Sequence, residues 1–289
     1  MKFINTLRCD LNKAILNLGF VGAAVMTVIL CFTTIAYENT TTDKAYSVVE
    51  SMFTLDRSFI ESERSFASVR LLSIGMSGYI SMFLPIIVAF PFMVGFCSER
   101  NSGCIRLAIA RTGQLRYSLS KFTASFLSGG FATMLGLIIF GIIITLVFPG
   151  IDSYKLPEEE LKYLIPFSPA KTIMMSVLSA FVYGAFTTLP AFFLSSFCRD
   201  PYIIVCIPFL LVYVWRTLIE KLANIAIEHQ NFGLADTYYS LYPEAVNNLF
   251  TAHEWNDSLS KTLIFNLGLL VFSAGGFLII FRLRQDKGR

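Results

Sequence analysis

Residues 122–148 read FTASFLSGGFATMLGLIIFGIIITLVF, a run of 27 positions without one charged side chain. An α-helix rises about 1.5 Å per residue, so the run measures about 40 Å, more than the roughly 30 Å hydrocarbon core of a bilayer. Its apolar residues fall on all faces rather than at every second position, which excludes a barrel strand. In lipid the backbone must bond to itself, and a helix is the local solution. Five further runs resemble it, and together they place spans near residues 16–37, 71–97, 122–148, 172–197, 202–218 and 262–281. The 55% hydrophobic and 15% charged composition agrees, with mean hydropathy +0.63. A water-soluble domain carries about 25% charged residues. The expectation is an all-α polytopic membrane protein with six transmembrane helices, forming one domain over residues 1–289.

Lys and Arg placement sets the orientation, because cytoplasmic segments retain positive charge. With the N-terminus inside, the inner segments hold 13 basic and four acidic residues, a net of +9; the outer segments hold ten and 16, a net of −6. The chain-wide +3 conceals this difference. Both termini are therefore expected in the cytoplasm. Cys9, Cys97, Cys104 and Cys198 fall inside and Cys31 and Cys206 in spans, so no external disulfide is expected. The long leader, the length of the first run and the Thr34-Ile35-Ala36-Tyr37 that ends it do not fit a cleaved signal peptide, so the first span reads as retained.

Before the first span, residues 1–15 carry Leu7, Leu11 and Ile15 at a helical spacing that continues to Leu18, with Arg8, Asp10, Asn12 and Lys13 assigned to other positions. That pattern fits an amphipathic helix on the inner leaflet. Residues 38–70 are polar but contain Val48, Met52, Phe53, Phe59 and Phe66, and read as a partly helical outer cap. Residues 98–121 form the largest inner loop. Asn101 or Ser102 is placed as the cap of a short helix through Ala110, ended by Thr112-Gly113. Glu158-Glu159-Glu160 reads as a solvated acidic face. Asp200-Pro201 reads as an N-cap and first helical turn joining antiparallel spans. Residues 219–261 combine an apolar face (Leu218, Ile219, Leu222, Ile225) with Tyr238, Tyr239, Tyr242 and Trp255, which fits helices dipping into the outer interface. Pro85, Pro91, Pro190 and Pro208 fall within spans and predict kinks.

The spans hold almost no ionisable groups; Arg216 and Arg282 lie near ends and can snorkel. That argues against an ion-coupled transporter or a voltage sensor. Gly75-Met76-Ser77-Gly78 matches the GxSG of intramembrane serine proteases, but a nucleophile needs a base, and His229 and His253 both fall in outer segments. No metal-ligand spacing and no phosphate loop occur, so energy for any transport must come from another chain.

Glu99-Arg100-Asn101-Ser102-Gly103-Cys104-Ile105-Arg106-Leu107, Arg111-Thr112-Gly113 and Arg116-Tyr117-Ser118-Leu119-Ser120-Lys121 together resemble the loop between spans two and three of ABC-2 type permeases, the membrane subunits of bacterial ABC exporters. Leu7-Arg8-Cys9-Asp10-Leu11 is similar to the N-termini of that family, and the long outer segment before the last span matches its re-entrant helices. The resemblance implies a non-catalytic permease in the bacterial cytoplasmic membrane. Its partners would be a cytoplasmic ABC ATPase that binds ATP and Mg, a second permease copy or homologue, and lipid, with no nucleic acid and no cofactor in this chain. It implies coupling roles for Glu99, Gly103, Arg106, Arg111, Arg116 and Lys121. The Phe-rich spans favour amphipathic, peptide or lipid-like cargo for export. The alternatives are a non-transporting scaffold or sensor subunit and, behind it, an intramembrane serine protease.

Overall fold

The computed structural model describes residues 2–39, 44–154, 157, 165, 167–252 and 256–285. The Glu158-Glu159-Glu160 run, His253 and Trp255 lie outside them. Among the described residues, five helices are long and apolar enough to cross a membrane, or six if a bent pair counts as one.

The bent pair is α1 (Lys2–Ile15) and α2 (Leu18–Cys31), which meet at 57°. Asn17 makes the joint. Its side-chain oxygen caps α2 at the Phe20 N–H, and its amide donates to the carbonyls of Lys13, Ala14 and Pro91. Alone, α2 is about 21 Å long and falls short of the hydrocarbon thickness. The expected span over 16–37 is thus shorter than its apolar run. The chain turns at Phe32–Thr34 and enters an antiparallel hairpin, β1 (Ile35–Asn39) with β2 (Lys44–Ser47). The hairpin also corrects the all-α expectation. Val48 and Val49 N–H groups bond to the Thr34 and Phe32 carbonyls, which closes the hairpin onto the end of α2.

Three short helices follow: α3 (Val48–Thr54), α4 (Arg57–Ser62) and α5 (Ser68–Ile74). Ser47 and Glu50 form a reciprocal capping box on α3, and the Ser47 N–H and hydroxyl hold the exposed Glu50 carboxyl below its ordinary value. Phe66 stacks on Phe148 with ring centroids 6.1 Å apart, so this cap closes one end of the bundle.

The expected second span is two helices. Gly75-Met76-Ser77-Gly78 separates α5 from α6 (Tyr79–Asn101). Gly78, at φ +76° and ψ −138°, occupies backbone space open to little but glycine. The Ser77 hydroxyl donates to the Ile74 carbonyl, and Thr34 donates to the Gly75 and Ser77 carbonyls. The GxSG stretch therefore builds a turn. Pro85 removes the helical donor to the Ser81 carbonyl, which the Tyr183 hydroxyl approaches at 3.5 Å.

Beyond α6 come α7 (Cys104–Thr112) and α8 (Gln114–Val147). The expected cap at Asn101 or Ser102 is corrected: α6 runs through Asn101, and Gly103, in the left-handed region, opens α7. The 34 residues of α8 make about 51 Å of unbroken helix, starting two turns before the expected boundary. Next are α9 (Pro169–Thr187) and α10 (Leu189–Leu194), broken at Thr188 where Pro190 brings no N–H. α8 and α9 approach closely through small residues: a Cβ on Gly184 would lie 1.9 Å from the Thr133 hydroxyl, which itself reaches the Ala180 carbonyl at 3.0 Å.

Asp200 caps α11 (Pro201–Glu228) by accepting from the Tyr202 N–H. This helix continues ten residues past the expected end of its span, because the apolar face through Ile219, Ala223 and Ala226 keeps helical period and stays buried. The chain then folds back through α12 (Phe232–Ser240), a 3-10 turn at Pro243–Asn247 and α13 (Asn248–Thr251), before α14 (Asp257–Gln285) returns along the bundle.

Candidate functional site

Two features stand out at opposite levels of the bundle. The first is at the end formed by α1, α7 and the start of α8, which the charge count makes the basic end. There Lys121, in the second turn of α8, bonds to Asp10 of α1 at 2.8 Å and to Glu99 of α6 at 2.6 Å. Lys13 closes on the other Glu99 oxygen at 2.8 Å, and the Ser120 hydroxyl donates to Asp10 at 2.6 Å. The Lys121 and Asp10 side chains are only 4% and 6% exposed. The ammonium also lies 5.3 Å from the Tyr117 ring centre. Two cations and two anions cancel, so the group joins α1, α6 and α8 without leaving a net buried charge.

Arg100, the next residue along α6, turns the other way. Its guanidinium donates to the carbonyls of Ser195, Ser196 and Cys198 (2.9 Å to the last), where α10 ends and helical donors run out. Neighbouring residues on one helix end therefore hold two different parts of the bundle.

α7 rests on this base. Ile105 is buried and Ile109 half-buried, in a cluster with Ala14, Phe96, Tyr117 and Phe281. Its opposite face is open: Arg106, Arg111 and Leu107, the last 71% exposed. Gly103 and Gly113, at φ +75° and +83°, bound the helix on both sides. Of the six residues expected to act together, Glu99 and Lys121 meet in the ion group. Gly103 shapes the turn, and Arg106, Arg111 and Arg116 stand exposed. Sequence reasoning missed Asp10, Lys13, Ser120 and Arg100 as members. Asp10 shares the buried face with Leu7, Leu11 and Ala14, contrary to its assignment beside Arg8 and Asn12. A carboxylate at position 10, within a helical stripe otherwise made of Leu7, Leu11 and Ala14, was the available signal.

The second feature is an apolar cavity of about 360 Å³ where α9 breaks into α10, walled by α11 and α14 and roofed by Leu241 and Pro243. Tyr183, Phe186, Pro190, Trp215, Phe265 and Leu269 line it, with Thr187, Asn266 and Ser273 as its few polar side chains. Trp215 stacks on Phe265 at 5.9 Å and donates to the Leu241 carbonyl at 3.0 Å. Arg216, expected to snorkel, instead pairs with Glu244 at 3.0 Å and reaches the Ser81 hydroxyl at 3.3 Å, tying the roof to α11 and α6. An apolar recess with few polar groups suits an apolar or amphipathic molecule.

Long apolar helices packed through small-residue contacts define a helical multi-pass membrane protein. No family model matches the chain, and no curated protein does.

Proposed function

We propose that this chain is the permease subunit of an ATP-driven exporter, placed in the bacterial cytoplasmic membrane with both termini inside. A separate cytoplasmic ABC ATPase supplies the energy, and a second permease copy or homologue completes the translocator. The observation that carries this reading is α7, a short helix displaying Arg106, Leu107 and Arg111 outward while its other face and its base are bound to the bundle. A mobile partner pressing on such a helix moves α6 and α8 with it, because Lys121, Asp10 and Glu99 leave little slack behind it. For ATP to drive the bundle, the partner must bind α7 differently in two states. The apolar cavity supports amphipathic or lipid-like cargo over ions.

The test uses the chain with its ATPase, co-purified and reconstituted. Arg106→Glu with Leu107→Asp is expected to lower ATPase association or cargo-stimulated hydrolysis at least tenfold while membrane insertion stays normal. Full coupling in that variant rejects the assignment. ATPase association without any cargo response would favour a scaffold or sensor subunit.

A further inference from the structure

The polar groups on the wall of the apolar cavity between α9–α10, α11 and α14 are not equivalent. Three are satisfied within the protein. The Thr187 hydroxyl donates to the Tyr183 carbonyl at 2.7 Å, the Trp215 indole N–H to the Leu241 carbonyl at 3.0 Å, and the Tyr183 hydroxyl reaches the Ser81 carbonyl at 3.5 Å.

Two oxygens are not satisfied, and both belong to α14. Asn266 is 6% exposed, and its Nδ2 donates to the Thr262 carbonyl at 2.9 Å. That carbonyl only accepts, so turning the amide round would set two acceptors against each other, and Oδ1 is the atom left over. Ser273 is 5% exposed and lies inside the helix. A hydroxyl there ordinarily bonds back to a carbonyl one turn earlier, as Thr262 does to Ser258 at 3.0 Å, but that of Ser273 does not. Neither oxygen has a partner among the described residues. Neither is sealed, in contrast to the unpartnered hydroxyls of Ser118, Ser125 and Ser176, and both residues line the cavity.

Asn266 and Ser273 are seven residues apart, which puts them on one face of α14 at a separation of about 10 Å along its axis. A polar atom left dry among carbon is unfavourable, and with the other wall groups already bonded a water finds few of the several partners that hold buried water. The charged pair at the roof, Arg216 with Glu244, is closed on itself at 3.0 Å. The cavity thus offers carbon walls, an amide acceptor and a hydroxyl, with no unpaired charge to meet an ionised group.

We infer that this cavity takes an uncharged amphipath bearing a hydroxyl, a lipid alcohol. Its carbon body lies against Phe186, Trp215 and Phe265, and its hydroxyl donates to Asn266 Oδ1, with the Ser273 hydroxyl as a second site of contact two turns along. A carboxylate or a quaternary amine would be buried there without compensation. This names the chemical class of the cargo proposed above and rests on that reading only for what happens after binding.

Trp215 makes binding measurable. Trp255 is the other of the two tryptophans, so Trp255→Phe leaves the cavity indole as sole emitter. The full chain with that change is placed in phosphatidylcholine nanodiscs and titrated with 11-bromoundecanol, whose bromine quenches indole on contact. Its methyl ether has nearly the same carbon body but no donor. The alcohol is expected to reach half-quenching at about fivefold lower concentration than the ether, and 11-bromoundecanoate at pH 8 to need at least about tenfold more than the alcohol. Excess undecanol should restore the emission. Asn266→Leu should remove most of the preference for the alcohol, and Asn266→Leu with Ser273→Ala all of it, while the ether keeps its midpoint and so reports an intact fold. Equal midpoints for alcohol and ether in the parent chain, or a preference that survives the double variant, overturn the hydroxyl assignment. Carboxylate binding as tight as that of the alcohol overturns the uncharged class. No ATPase is present, so loss of coupling at α7 rejects the export reading and leaves this result standing.

Discussion

At the residue scale the buried lysine dominates. Lys121 faces two carboxylates in a space with little water, and removing one side of such a group leaves uncompensated charge. Lys121→Met is therefore expected to cost about 3–5 kcal/mol of stability. Lys121→Met combined with Asp10→Leu should recover part of that loss, because the one carboxylate left unpaired then disappears while Glu99 keeps Lys13. Thermal unfolding of the four proteins in detergent, read as a double-mutant cycle, measures the coupling. Purely additive losses would mean that the 2.8 Å pair contributes nothing of its own. Lys121 was legible in sequence as a basic residue at the mouth of a span, whereas its partners were not. Asp10 lies 111 positions away, and a stripe read from its leucines alone hides the carboxylate among them. Arg100 was hidden for a related reason: its acceptors are backbone carbonyls at the end of α10, which no side-chain pattern announces.

At the scale of elements, the membrane made the long helices readable and the breaks obscure. A bilayer demands an uninterrupted apolar run, and each such run could be found by the absence of charge alone. Whether the run is one helix or two depends on single residues: Gly78 with its positive φ, Pro190 without an N–H, Asn17 as a cap. Helix ends beyond the lipid were lost in the same way, since α8 and α11 continue wherever their buried faces keep period, regardless of the charge between. The α8–α9 contact offers a test of how tightly such elements are set. Gly184→Val puts branched carbons where Thr133 already stands, and Thr133 cannot retreat without giving up the Ala180 carbonyl. A loss of about 1–3 kcal/mol is expected, measured by thermal unfolding. Thr133→Ala in the same chain should return a part of it, and no return would place the strain elsewhere.

For the whole molecule, orientation is the first question, because the proposed partner must lie on the basic side. Cys104 sits exposed at the start of α7 and can be kept as the sole cysteine. An impermeant maleimide is expected to label it in inside-out vesicles and not in right-side-out ones. The reverse pattern would put α7 out of reach of any cytoplasmic ATPase. A bulky side chain in the apolar cavity tests cargo in turn: Leu269→Trp is expected to reduce cargo-stimulated hydrolysis several-fold while basal hydrolysis persists. Loss of both rates together would indicate damage to the bundle instead.

Three of the routes across this protein are jointed, at residues 16–17, 75–78 and 188, but α8 has no joint. One of its ends carries Lys121 and the other runs directly to Phe148, beneath the aromatic lid. As one continuous helix it gives a proposed push at its foot a direct hydrogen-bonded path to its tip. Under the proposed transport reading, opening on the far side then needs no relay of successive rearrangements, only a shaft that tilts.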